Sequence, residues 1–218
     1  MGGMAALTVE IWSDVVCPWC YVGKRRFEKA LAVFEHRDEV EVVWRSFELD
    51  PYAARTREGS SAEHLARKYG MSVEQAEDMN AQMTELAAGE GLDYHLGRTR
   101  GGNSFHAHRL IQLAAEQGEQ DAVQERLFHA YFTEGEAIGE LDTLNRLAAE
   151  LGLDPAGLDG NAYADAVRAD EELAARIGIQ GVPYFVLDRR YGVSGAQQPE
   201  VLLQALNQTW DEAVSLPS

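Results

Sequence analysis

Cysteine is nearly absent from this chain. There are two in 218 residues, and they stand together as Cys17-Pro18-Trp19-Cys20. So few cysteines exclude a small scaffold stapled by disulfides. There is no second C-x-x-C and no H-x-x-x-H, so the pair supplies at most half of a tetrahedral zinc site. A metal-binding module therefore stays open only as an alternative, and no metal ligand is assigned. Positive charge is also scarce: 19 Lys and Arg stand against 36 Asp and Glu, a net charge of −17. A general binder of nucleic acid or of an anionic membrane needs a basic face, so neither partner is expected. No apolar run approaches the roughly 20 residues that a spanning helix needs. The opening Met1-Gly2-Gly3-Met4-Ala5-Ala6 lacks the basic and long apolar parts of a secretion signal, which leads to the expectation of a cytoplasmic location. In that reducing compartment a catalytic disulfide is favoured over a structural one. Repeats, low-complexity stretches and flexible linkers are absent as well. The length allows one enlarged domain or two small ones.

What is present begins with β pattern. Leu7, Val9 and Ile11 alternate with polar or exposed positions, which predicts a strand over Leu7 to Ser13. From Trp19 to Phe34 the apolar positions Cys20, Phe27, Ala30, Leu31 and Phe34 recur at helical spacing. Cys17 then falls at the N-cap and Pro18 at the first helical position, where a missing N–H costs nothing. Positions three apart share one helix face, so the two sulfurs can close a short, reversible disulfide. A helix N-terminus also favours negative charge, and hence the reactive thiolate. Val40, Val42, Trp44 and Phe47 mark a second strand. Strand, helix and strand with short joints make a βαβ unit with parallel strands.

From about Pro51 to Ile177 the pattern is helical. Ser72-Val73-Glu74-Gln75 has capping-box form ahead of Met79, Met83 and Leu86. Asn103 or Ser104 caps a segment through Ala107, Leu110, Ile111 and Ala114 that stops at Gly118. Val123 to Tyr131 and Leu144 to Leu151 mark two more helices, and Asn161 is expected to cap the last one, which ends at Ile177 and Gly178. Met71, Met79 and Met83 read as core filler. The end returns to β: Tyr184 to Leu187 and Tyr191 to Ser194 flank Asp188-Arg189-Arg190, a hairpin-length turn. Pro199 starts a closing helix with Val201, Leu202, Ala205 and Leu206.

The order βαβ, helices, ββα resembles the thioredoxin fold, an α/β fold, with an all-helical domain inserted between its halves. On that reading residues 1–50 and 178–218 form the thioredoxin-like domain and 51–177 the insertion. Gly181-Val182-Pro183-Tyr184 precedes the third strand, where thioredoxin-like proteins place a cis-proline beside the dithiol. Cys-Pro-Trp-Cys followed by Tyr21-Val22-Gly23 resembles the FrnE-like cytoplasmic branch of the DsbA-like oxidoreductases. Asn103-Ser104-Phe105 with Ala107-His108-Arg109 resembles a helical segment of that branch. The same segment occurs in its relatives, the 2-hydroxychromene-2-carboxylate isomerases and kappa-class glutathione transferases.

The resemblance implies thiol–disulfide exchange on protein disulfides or a small thiol substrate. Cys17 resembles the exposed attacking cysteine and Cys20 the buried resolving one. Pro183, after the apolar Val182, shapes the groove that receives the substrate sulfur. Pro18 and Trp19 tune the site. An indole adds no charge, so the disulfide is expected to be less oxidising than in DsbA itself, which carries histidine there. Trp19 either offers a flat apolar surface or packs on the insertion. Asp14 is a candidate proton relay or a loop cap. His106 and His108 lie two apart on a helix, so at most one faces the dithiol. They and Asn103 are candidate substrate-binding residues, although a helix cap explains Asn103 equally well. Lys24, Arg25 and Arg26 read as a solvated helix face. No organic cofactor is implied, with glutathione as a candidate co-substrate. A glutathione-dependent isomerase or transferase is the main alternative. Such relatives usually carry serine where this chain has Cys17.

Overall fold

The structure is a computed structural model that describes residues 7–215; the opening run read for a leader lies outside them. Strand β1, Leu7–Ser13, is central. It pairs in parallel with β2, Val40–Ser46, and antiparallel with β3, Tyr184–Leu187, which pairs with β4, Tyr191–Ser194. The sheet order is β2-β1-β3-β4. The β3–β4 turn places Asp188 and Arg189 in left-handed backbone, with φ of 50° and 55°. Such a turn matches the twist of a hairpin. The four strands, the parallel β1–β2 pair and the β3–β4 hairpin are the ones the sequence predicts.

The alternation in β1 is real, but its second face is not exposed. Leu7, Val9 and Ile11 join the core formed with Phe27 of α1, Pro18–Val33, with Phe34 at its C-cap, and with Leu202 and Leu206 of α8, Pro199–Ser215. On the opposite face Trp12 and Val186 pack with Ala174 of α7, Ala164–Ile177, and with Ile179 beyond it. Glu10 is also buried there, held by Arg45 and Arg189. A central strand with helices on both sides has no solvent face. Asp170 fastens α7 to β2. Its carboxylate accepts from the Ser46 amide at 2.9 Å, Gln112 Nε2 at 2.7 Å and Arg45 at 3.0 Å.

Between β2 and β3 lie α2 (Ser61–Tyr69), α3 (Val73–Gly89), α4 (Phe105–Ala115), α5 (Gln120–His129), α6 (Leu141–Glu150) and α7. The predicted capping box at Ser72 and Gln75 is present. Helix α2 is not among the helices expected from the sequence, although Ser60 and Glu63 make the same reciprocal cap. Asn161 does not cap α7 with its side chain. Only its carbonyl takes part, accepting from the Ala164 amide at 3.1 Å. Helix α5 runs into a π-helical turn, Ala130–Glu134, which ends at Gly135 in left-handed backbone.

The run Lys24-Arg25-Arg26 is not a solvated face. Lys24 is buried, where Glu28, Asp121 and Glu125 surround its ammonium. Arg25 pairs with Glu125, and Arg26 donates to Glu90 and to the Ala196 carbonyl, both at 2.6 Å. These cations join α1 to α5, to the end of α3 and to the segment before α8. A buried cation persists only when it is paired in this way.

Candidate active site

The dithiol sits where β1 hands over to α1. Cys17 occupies the N-cap in extended backbone (φ −91°, ψ 113°), and Pro18 is the first helical residue, as predicted. The Cys17 amide donates to the Asp14 carbonyl and the Cys20 amide to the Cys17 carbonyl, each at 3.0 Å. No side chain caps α1 and no acidic residue stands in its first turn.

Both cysteines are free thiols. Cys17 is not an exposed residue, as the sequence reading had it: it is 5% accessible, and Cys20 is 1% accessible. Cys17 Sγ instead opens into a cavity of about 610 Å³, whose lining includes Trp19, Leu49, Met79, Met83, Phe132 and Val182. Burial, and next the Cys17 sulfur, push the Cys20 thiol well above its ordinary range. The Asp14 amide and the Ser13 hydroxyl pull the other way.

The Val182–Pro183 peptide is cis, and Cys17 Sγ lies 3.6 Å from the Val182 carbonyl oxygen. Gly23 makes this approach possible. A Cβ there would come within 2.8 Å of Pro183 Cγ. Helix α1 and the proline loop touch because position 23 has no side chain.

Trp19 is 44% exposed and lines the cavity. Met79 and Met83 line it too, so two of the three methionines read as core filler are wall residues. Behind α1, Tyr21 stacks on Phe128 at 4.7 Å between ring centroids, and Tyr94 on Phe132 at 4.7 Å. Tyr94 donates to the Pro18 carbonyl at 2.7 Å. The π-helical turn supplies Tyr131 and Phe132 to the cavity.

Asp14 is fully buried. Its carboxylate accepts from the amides of Leu49 (2.8 Å) and Val16 (3.3 Å), and so it caps the loop. His108 is buried beside it, with Nε2 3.4 Å from Asp14 Oδ1 but without the geometry of a hydrogen bond. Of the two histidines, then, His108 faces the dithiol loop. His106 turns away, with Nδ1 2.9 Å from Arg109 and Nε2 3.5 Å from Arg55. Asn103 caps α4, accepting from the Phe105 amide at 2.9 Å and donating to Glu48 at 3.1 Å and the Pro51 carbonyl at 3.4 Å. Its polar atoms are committed to these partners.

Sequence reasoning passed over Tyr131, Phe132 and Arg57 as cavity residues, and Tyr94 as the partner of the Pro18 carbonyl. Tyr131 stands within a helical pattern, and nothing local in the sequence places it at the cavity. Among the described residues, no group of three or more His, Cys, Asp and Glu side chains could hold a metal ion.

Comparison with known proteins agrees with this geometry. The DSBA-like thioredoxin domain family matches residues 8–207, and the chain belongs to that family. It is 29% identical over 215 residues to YwbO of Bacillus subtilis (strain 168), an uncharacterised protein, covering 91% of this chain and 95% of that one. The crystal structure of a "probable DsbA oxidoreductase" from Streptomyces coelicolor is 48% identical, with a TM-score of 0.91 over 97% of this chain and 93% of its own. Two other structures share the fold. A 2-hydroxychromene-2-carboxylate isomerase has a TM-score of 0.72 at 16% identity, over 97% of this chain and all (100%) of its own. The cytosolic disulfide reductase DsbM of Pseudomonas aeruginosa, solved with glutathione, has a TM-score of 0.62 at 20% identity, over 94% of this chain and 99% of its own.

Proposed function

We propose that this member of the DSBA-like family is a thiol–disulfide oxidoreductase of the cytoplasmic, FrnE-like branch, with Cys17 as nucleophile and Cys20 as resolving thiol. The observation that carries the reading is the position of Cys17 Sγ. It sits at the uncapped start of α1, against the Val182 carbonyl, at the wall of a cavity. In the reducing direction, the Cys17 thiolate attacks one sulfur of a substrate disulfide. The substrate S–S bond breaks, a Cys17 mixed disulfide forms, and the first substrate thiolate leaves. Cys20 then gives up its proton and attacks the Cys17 sulfur. This closes the Cys17–Cys20 disulfide and releases the second thiolate. Two electrons pass from the dithiol to the substrate, and the reverse sequence oxidises a substrate dithiol.

Pro18, Trp19, Val182 and Pro183 shape the site. The division into 1–50 with 178–218 and an insertion over 51–177 belongs to the same reading, and the cavity draws residues from both parts. Among the described residues, no helix is long and apolar enough to cross a membrane. The cytosolic place of DsbM supports the cytoplasmic assignment. Glutathione is the candidate co-substrate, since it occupies that structural relative. No organic cofactor is part of the mechanism.

The test is a pair of substitutions. Cys17→Ser abolishes exchange, whereas Cys20→Ser accumulates mixed disulfides with substrate that reductant releases. Normal exchange by the Cys17→Ser protein sinks the reading. A glutathione-dependent isomerase is the second reading, favoured by the likeness to the isomerase fold. It predicts full turnover in the Cys20→Ser protein, because isomerisation needs no resolving thiol.

A further inference from the structure

The chain carries far more acid than base, and most of its lysines and arginines are paired with carboxylates, as Lys24, Arg25, Arg45, Arg126, Arg146 and Arg168 are. The cavity beside Cys17 is different. Arg57, His64 and Lys68 line it. Among the described residues, neither Arg57 nor Lys68 has a carboxylate within 4.0 Å.

Arg57 is also fixed in place. Its amide donates to the Gly101 carbonyl at 2.8 Å, and its guanidinium donates to His64 Nε2 at 3.1 Å. The guanidinium covers Gly101, where any Cβ would run into it. Two acids share the lining. Asp14 is turned onto the amides of Val16 and Leu49. Asp50 is exposed and draws the His64 pKa upward, but burial, followed by Arg57, Lys68 and Arg67, holds His64 below its ordinary 6.5. Beside uncharged polar groups such as Asn80 and Gln82, the wall carries the apolar side chains of Trp19, Leu65, Met79, Met83, Leu86 and Phe132. A volume of about 610 Å³ is that of a site for one small molecule.

We infer that this cavity takes a small, carbon-rich disulfide or thiol bearing an anionic group, with its sulfur at Cys17 and its anion at Arg57 and Lys68. This rests on the exchange reading and narrows its substrate class. The Cys17–sulfur bond forms as the substrate S–S bond breaks, and the anionic thiol leaves with the electron pair. The apolar wall desolvates the body of the molecule, and the unpaired guanidinium supplies a charge-assisted bond to its far end.

The test compares two aromatic disulfides. Dithiobis(nitrobenzoate) carries a carboxylate on each ring, and dithiodipyridine is neutral. The quantity read is the ratio of their exchange rates with the reduced protein. Arg57→Gln and Lys68→Gln each lower that ratio, by about tenfold for the loss of one charge-assisted contact at Arg57 and less at the exposed Lys68. Arg176→Gln, another cation without a carboxylate partner among the described residues but outside the cavity, leaves the ratio unchanged. A second measurement needs no chemistry at Cys17. Phenylbutyrate binding raises the His64 titration midpoint, followed by NMR, because an anion beside Arg57 relieves the repulsion on the imidazolium. Equal ratios in all variants, or a His64 midpoint that phenylbutyrate does not move, overturn the inference. Failure of both disulfides to react counts against the exchange reading instead, and the NMR arm then decides the anion site alone. Mixed disulfides of the Cys20→Ser protein formed with proteins, and with no small anionic thiol, also overturn it.

Discussion

The Asp14 carboxylate and the His108 imidazole lie 3.4 Å apart, both fully buried, one on the loop that carries the dithiol and the other on α4. Burial opposes charge on His108, but Asp14, Glu48 and Glu171 outweigh it and hold the imidazole above its ordinary 6.5. A histidine whose folded value is raised adds stability that is fully present below about pH 6.5 and is lost as pH rises through the folded value. The stability difference between the native protein and His108→Gln is therefore largest near pH 6 and shrinks toward pH 9, as read by urea midpoints. A difference that grows with pH contradicts the pairing.

Cys20 is also held in its protonated form, which for a thiol is the neutral one. Burial pushes its thiol above the ordinary 9.0. In a Cys17→Ser background Cys20 is a protonated, shielded thiol at neutral pH, so iodoacetamide labels it only slowly below pH 9. Rapid labelling at pH 7, measured by mass spectrometry in the folded protein, contradicts the burial.

Gly23 gives a steric prediction. Adding a single methyl, in Gly23→Ala, places carbon 2.8 Å from Pro183 Cγ. Helix α1 and the proline loop must then separate, which costs about 1–3 kcal/mol of stability, as overpacking generally does. Disulfide exchange slows at the same time, because the Val182 carbonyl moves off Cys17. Denaturant midpoints and exchange rates test the two parts separately.

Arg109 holds a loop together. Although buried, it donates to the carbonyls of Ala162 (2.6 Å), Leu158 (3.0 Å), Gly157 (3.0 Å) and Gly160 (2.7 Å). Arg109→Met keeps much of the volume but leaves these carbonyls without their donor, at a cost of about 3 kcal/mol or more. Proteolysis between α6 and α7 accelerates as the loop opens.

The elements and the dithiol were legible in the sequence. Period-two and helical spacing drew β1, β2, the hairpin and most helices, because each pattern reports a face that must be buried. Cys17-Pro18-Trp19-Cys20 announced a helix start, since proline and an N-cap are local chemistry. The missed Ser60–Glu63 cap was equally local and could have been read.

Other features depended on contacts that no local pattern carries. Lys24-Arg25-Arg26 read as a solvated face because charge in a helix usually means water, and only the arrival of Glu125 and Glu90 from remote helices makes those cations interior. Asn103 took the capping one of its two expected roles, and Met79 left the core, for the same reason. Partners at Glu48 and Pro51 occupied the amide, and the cavity left the thioether uncovered. The sequence by itself determined the strands, the helix start at the dithiol and the placing of both sulfurs within its first turn, since backbone propensity and side-chain chemistry act locally. The tertiary structure alone decided that Cys17 is buried at a cavity wall and that Arg57 and Lys68 share that cavity. Those placements join segments far apart in the chain, and packing sets them.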